Sequence, residues 1–199
     1  MTKCSDDKLM RVFLELLSRY AINTSIEVGA HEAEFSTAMK ELFPLSDVYA
    51  YEANPFVFEK YFPSLSMINY RHAAITEEDG IIDFYLQQNI DFSSTVNNSI
   101  HRRTKEAAEI AIPVRAFRLD NLHKIQGLCA LWIDCEGASR EVLRGSIGIL
   151  NRTVAVFIET EHFSYWENQW LHYDVEEFLD TYGFRLWKMK QQYPFQTNC

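Results

Sequence analysis

A short β-type run that stops at a glycine and passes straight into a helical pattern is the tightest constraint on this chain: Thr24-Ser-Ile-Glu-Val-Gly-Ala-His31. The figure repeats in Val48-Tyr-Ala-Tyr-Glu-Ala-Asn-Pro55, a second strand that ends in an acid. In an open parallel sheet such strand ends form the ligand crevice, and an acid at the second tip suits a ribose diol. The pattern is that of a nucleotide-cofactor enzyme.

The rest of the chain extends this alternation. Leu9, Met10, Phe13, Leu16 and Leu17 recur at helical spacing and predict a helix over 7–20, packed on the domain that follows. Strand one is Ser25–Val28 and strand two Val48–Glu52, with a helix over 32–42 between them. Pro55 suits the first turn of the next helix and Asn54 its cap, with Phe58, Tyr61 and Phe62 toward the sheet. Strand three is Met67–His72. Asp79-Gly80 turns into Ile81–Leu86, an edge or hairpin strand. Residues 87–111 show no period, and Asn89–Glu109 is expected to be a mobile functional loop. Ile112–Val114 is a short strand and Leu119–His123 a helical turn. Leu128–Ile133 is apolar, as a central parallel strand requires. Arg140–Leu150 is helical with a break near Gly145, and Val154–Glu159 is the next strand. Tyr173–Thr181 is helical, Phe184–Lys188 is the last strand, and Gln191–Phe195 is a pairing candidate behind it. The order is that of a doubly wound α/β sheet with helices on both faces. It divides into an N-terminal helical segment over 1–23 and one domain over 24–199.

The 199 residues suffice for a single α/β core, and 47% hydrophobic with 24% charged residues is an ordinary globular balance. A formal net charge of −9 argues against a nucleic-acid partner, with Arg102-Arg103 the single candidate basic patch. No leader-like segment or apolar run of transmembrane length stands out, so membrane insertion is not expected and the cytoplasm is the expected compartment. Cys4, Cys129, Cys135 and Cys199 lack metal-site spacing.

Gly29 permits close approach of a ligand to the backbone, with the amides of Ala30 and His31 expected in the crevice. The third glycine of the dinucleotide fingerprint is absent, since Ala33-Glu34 occupies its place, so a cofactor without a pyrophosphate fits better. Glu52 can take both ribose hydroxyls. Glu27, buried by its strand, needs a partner: the cofactor's cationic end or a neighbouring loop. Leu131-Trp-Ile-Asp-Cys-Glu-Gly137 runs an apolar strand into two acids at alternate positions, and the following strand ends in Glu159-Thr-Glu-His162. Asp134, Glu136, Glu159 and His162 form the candidate catalytic cluster, with helix capping as the alternative role for the acids. Phe92 with Ser93-Ser94, and Phe163 through Trp166 with Trp170, are candidates to stack on a bound ring or to act as core anchors.

These pieces together resemble the FkbM-like methyltransferases from about Thr24 to the final strand. The resemblance rests on Glu27-Val-Gly-Ala30 with Glu34-Phe-Ser36, Tyr51-Glu-Ala-Asn-Pro55, Ala74-Ile75 before Asp79-Gly80, Ser93-Ser94, Leu119-Asp120, Ile133-Asp-Cys-Glu-Gly137, Val142-Leu-Arg-Gly145 and Ile158-Glu159. It implies the class I fold, Rossmann-like with a mostly parallel seven-stranded sheet, and O-methylation of a sugar, glycan or natural-product hydroxyl from S-adenosylmethionine. It implies that Gly29 and the amides after it hold the methionine part, that Glu52, Ala53 and Asn54 meet the ribose side, and that Ala74 and Ile75 flank adenine. Asp134 and Glu136 are implied beside the methyl group. Ala33, Ala53, Ser139 and Glu27 depart from the usual family residues.

Transfer to oxygen needs alignment and a proton acceptor, for which Asp134 is the first choice and Glu136, Glu159 or His162 the partners. No metal is called for, because the acids have simpler work as hydrogen-bond acceptors. The alternatives are a non-catalytic cofactor-binding or assembly protein of the same fold, and an NAD-linked oxidoreductase. The acceptor's identity and the oligomeric state are not encoded in any motif.

Overall fold

The structure is a computed structural model that describes residues 3–87, 98–105 and 108–190. Its main sheet has five strands in the order β3-β2-β1-β7-β8, where β1 is Ile22–Val28, β2 Asp47–Glu52, β3 Asn69–His72, β7 Leu128–Ile133 and β8 Thr153–Ile158. Every pairing in it is parallel. The strand order reverses between β1 and β7, and the crevice opens there at the carboxyl ends.

Alternation along the strands divides the core between two faces. On β7, Leu131 and Ile133 face a cluster with Ile26, Val28, Val142, Leu143 and Val175, whereas Ala130 and Trp132 face Phe13, Leu17, Phe35 and Met39. Helix α1 (Lys3–Leu17) and helix α2 (Glu34–Leu42) cover the second face. There Trp132 stacks on Phe157 and Phe35, with Phe13 against its edge. Helices α5 (Ser139–Arg144), α6 (Ile147–Leu150) and α7 (His172–Thr181) cover the first face, together with the short α4 (Leu119–Leu122). Helix α3 (Pro55–Tyr61) starts as its sequence predicts: Asn54 accepts the Phe56 and Val57 amides, and Pro55 occupies the first turn. Val57 is its buried residue and Phe58 stacks on Tyr70, while Phe62 is exposed.

Two features differ from expectation. The strands that were to widen the main sheet form a separate three-stranded sheet, β4-β6-β5, made of β4 (Ala74–Ile75), β5 (Gly80–Gln87) and β6 (Glu109–Phe117). β5 and β6 pair antiparallel from Gly80↔Ala116 to Gln87↔Glu109, a far longer ladder than the predicted Ile112–Val114. The seven-stranded sheet therefore appears as five strands plus this smaller sheet. Phe184–Lys188 alternates like a strand, but it carries no strand pairing in the structure, and Leu186 and Trp187 are exposed. An alternating pattern needs a partner edge before it becomes a strand. Gln191–Phe195 lies outside the described residues. Among the described residues, no helix is long and apolar enough to cross a membrane.

Candidate active site

β1 delivers the chain to the crevice through a turn with three left-handed residues, Gly29 (φ 76°), His31 (φ 44°) and Ala33 (φ 54°). Gly29 is required by packing: a Cβ there would lie 2.0 Å from the Asp134 carbonyl oxygen. The turn curls toward β2, so the amides of Gly29 and Ala30 both donate to the Tyr51 carbonyl. The His31 amide donates to Glu52 Oε2 at 2.9 Å. The amides of Ala30 and His31 are thus engaged by β2 and its terminal acid, where the sequence placed them in the crevice.

Glu27 points to the other side of this turn. Its Oε2 accepts the Ser36 amide at 2.8 Å, in the first turn of α2. The α2 N-cap, Ala33, has no side chain able to do this, so the cap comes from the neighbouring strand. Burial pushes the Glu27 carboxyl up to about 8, against the pull of its hydrogen bonds from Ser36. Of the two partners the sequence offered Glu27, the structure supplies the neighbouring segment.

Glu52 is 6% exposed at the tip of β2. Oε1 accepts the Asn54 amide at 2.7 Å and Oε2 the His31 amide. Burial lifts its carboxyl to about 7 despite these bonds. A carboxylate has about four acceptor positions, more than the backbone amides of His31, Ala53 and Asn54 take up, so acceptor capacity remains for a ligand.

Glu52 forms part of the wall of a cleft enclosing about 600 Å³ of open space. The floor is Val28, Gly29 and Asp134 at the β1 and β7 tips. One side is Glu52, Ala53, Asn54, Ala73, Ala74 and Ile75, and the other is Cys135, Glu136, Ala138 and Val142. Asn98, Ser99, Ile100 and Phe84 close the remaining side from the smaller sheet and the segment beside it. The wall holds three acids and no lysine, arginine or histidine among the described residues. Such a wall favours a cation and repels a pyrophosphate.

Asp134 is exposed at the end of β7, and its amide donates to Val28 O at 2.9 Å, which extends the β1–β7 pairing by one residue. Glu136 is lifted to about 7 by burial and by the charges of Glu161 and Asp134, while Arg103 pulls it down. Burial also raises Glu161, with the charge of Asp134 adding to the rise and the nearby Gln169 side chain and Gly137 amide working against it. Glu161 was overlooked in favour of its neighbours in Glu159-Thr-Glu-His162, although it falls at the alternate position from Glu159. Glu159 continues the sheet, its amide donating to Ile133 O, and His162 sets Nδ1 3.1 Å from Nδ1 of His172. Neither contributes to the cleft wall, which brings Asp134 and Glu136 together without them. Burial and the surrounding acids push the Cys135 thiol well up, which removes it as a thiolate nucleophile. Among the described residues no group of three or more His, Cys, Asp and Glu side chains is arranged to hold a metal ion.

The aromatic segment splits in role. Trp166 is 1% exposed, and a Cβ on Gly137 (φ 67°) would meet its ring at 2.4 Å. Trp170 packs on Phe178, and only Phe163 and Tyr165 are exposed. Phe92 and Ser93-Ser94 lie outside the described residues.

The groups present suit S-adenosylmethionine. Glu52 has acceptor capacity left for a diol, Ala73, Ala74, Ile75 and Ile100 offer apolar surface for a base, and Asp134 and Glu136 offer negative charge to a sulfonium. Comparison with known proteins agrees with this at the level of family. No curated protein matches the chain. A solved structure that does, a methyltransferase FkbM from Methylobacillus flagellatus KT, shares 11% identity at a TM-score of 0.41, with 66% of this chain and 30% of that chain covered. The chain thus corresponds to less than a third of that protein's length. The sequence pattern described as the methyltransferase FkbM domain matches residues 27–186. This match runs from Glu27, the acid that caps α2, past the three acids of the cleft wall to Leu186, and the protein belongs to the FkbM methyltransferase family.

Proposed function

We propose that the protein is an S-adenosylmethionine-dependent O-methyltransferase of the class I type, acting on a hydroxyl of a sugar, glycan or natural product. The observation that carries this reading is the placing of Glu52 and Asp134 on the tips of β2 and β7 in a cleft wall that has no cation among the described residues. The bound cofactor would supply a methyl group made electrophilic by its sulfonium.

Glu52 holds the ribose hydroxyls with the acceptor positions its amide bonds leave over. Ala74 and Ile75 flank the adenine, with Ala53 and Asn54 beside the ribose. Gly29 and the chain after it border the methionine part. Asp134 would orient the acceptor hydroxyl and hold the proton it gives up. Glu136 stands beside it with a carboxyl near neutrality, and is the second candidate for that proton. Asn98, Ser99 and Ile100 exclude water from the far side of the cleft.

The test is release of S-adenosylhomocysteine across a panel of hydroxylated acceptors. Asp134→Asn keeps the shape and removes the base, and turnover should fall about 10²–10⁴-fold, with cofactor affinity changing less. Near-normal turnover in that variant would move the proton to Glu136.

A further inference from the structure

A strap of chain over 98–105 crosses from β5 to the loop that follows β7 and holds Glu136 there. Ser99 pairs with Tyr85 of β5 through both backbone groups, at 2.7 and 3.2 Å. Its hydroxyl donates to the Glu136 carbonyl at 2.5 Å and accepts the His101 amide at 3.1 Å. Ser99 is 2% exposed, so this latch is shielded from water. On the other side of Glu136 stands Gly137 (φ 67°), pressed against the Trp166 ring. The strap reaches that segment too: the Glu167 amide donates to the Arg102 carbonyl at 2.8 Å and the Thr104 amide to the Tyr165 carbonyl at 3.0 Å. Glu136 is thus fixed between two anchors where it lines the cleft.

The charges around Glu136 are mostly of its own sign. Glu161 after β8 and Asp134 on its own loop both act on it, and Arg103 on the strap opposes them. Glu161, Glu141 on α5 and Glu159 also act on the Cys135 thiol between the two loop acids. The cleft wall has no lysine, arginine or histidine among the described residues, and the sequence of 88–97 contains none. Glu52 and Asp134 stand on either side of Gly29, two strand spacings or about 10 Å apart. A cofactor whose ribose sits on Glu52 extends along this span toward the loop of Asp134 and Glu136.

We propose that Glu136 makes the cleft read the charge of its cofactor: it favours cationic S-adenosylmethionine over neutral S-adenosylhomocysteine, and so helps to expel the spent cofactor after transfer. The inference rests on the methyltransferase reading above and adds to Glu136 a role in cofactor choice. Methyl transfer to a hydroxyl leaves a neutral thioether and an ether, and the hydroxyl's proton carries the positive charge away. An anchored carboxylate therefore attracts the cofactor before the step and loses that attraction after it. A unit charge about 7 Å away at an effective dielectric of about 20, with screening by salt, suffices for a preference of about tenfold. The preference also depends on pH. Burial, Glu161 and Asp134 lift the Glu136 carboxyl to about 7, so it gains its charge, and its hold on a cation, as pH rises through that value. Glu52 is lifted to about 7 as well, but both ligands place the same ribose on it, so its titration cancels from their ratio.

Calorimetric titration of the full chain with S-adenosylmethionine, S-adenosylhomocysteine and sinefungin tests this without an acceptor. Sinefungin carries an ammonium group where the donor has its methylated sulfur, so it separates the effect of charge from that of the methyl group. At about pH 7.5 both cations should bind roughly tenfold more tightly than S-adenosylhomocysteine, and the preference should shrink toward about pH 6. Glu136→Gln keeps the shape and removes the charge. It should lower the preference about three- to tenfold at the higher pH and leave it level across the range. If that variant does not fold, the wild-type ratios at the two pH values carry the test. S-adenosylhomocysteine binding as tightly as the cations, or a preference that neither pH nor Glu136→Gln changes, overturns the inference alone. Binding of none of the three ligands overturns the methyltransferase reading and the inference with it.

Discussion

Glu27 lies inside an otherwise apolar strand, and its carboxylate ends on the Ser36 amide at the start of α2. Burial holds its pKa at about 8 in the folded chain, against an ordinary value of 4.5 once unfolded. Between those values the folded state binds the extra proton, so stability falls as pH rises, by about 1.4 kcal/mol per pH unit for each such group. The contribution is complete below pH 4.5 and lost as pH passes 8. Glu52, held at about 7, adds to the same slope over a narrower window. Glu27→Gln keeps an oxygen for the Ser36 amide and removes the charge. It should flatten the slope and gain about 1–3 kcal/mol at pH 8 in urea unfolding, with little change at pH 5. A variant with the wild-type slope would mean that Glu27 does not titrate in this window. Gly29 is constrained differently, by the Asp134 carbonyl against it and by its positive φ. Gly29→Ala should cost about 2–5 kcal/mol, the left-handed penalty plus overpacking. An unchanged unfolding midpoint would show that the β1 and β7 tips are not packed this closely.

Elements were legible where local pattern and tertiary demand coincide. The strand–glycine–helix figure at Gly29, the Asn54-Pro55 helix start and the break of Arg140–Leu150 at Gly145 are all present. Each is set by backbone chemistry within a few residues. Phe184–Lys188 carries the right alternation, but its pairing depends on an edge the sequence cannot display. Glu161 and the strap were equally hidden, because their roles come from apposition across the crevice. The same holds for Trp166, whose aromatic ring suits an acceptor and a core alike until Gly137 is placed against it. Of the expected mobile loop Asn89–Glu109, the described part at 98–105 is tied down by backbone bonds to β5 and to the 165–167 segment. The Ser99, Thr104 and Glu167 amides should therefore exchange slowly in the ligand-free protein. Fast exchange at all three would mean that the strap is unlatched and the cleft wall unformed.

At the scale of the molecule, a chain of net charge −9 places Glu52, Asp134 and Glu136 around one cleft, while Arg102, Arg103 and Lys105 line a separate polar hollow together with Glu109 and Glu167. The reversal of strand order at β1 and β7 creates the crevice, and the smaller sheet with the strap closes its open side. The missing third glycine of the dinucleotide fingerprint and the acid-lined wall, which has no cation among the described residues, both disfavour a pyrophosphate-bearing cofactor, the first through backbone geometry and the second through charge. Calorimetry with S-adenosylhomocysteine and with NAD on the wild-type chain tests this account most directly. The account predicts binding of S-adenosylhomocysteine in the micromolar range, about −8 kcal/mol, and no heat from NAD. Binding of NAD with none of S-adenosylhomocysteine would contradict it.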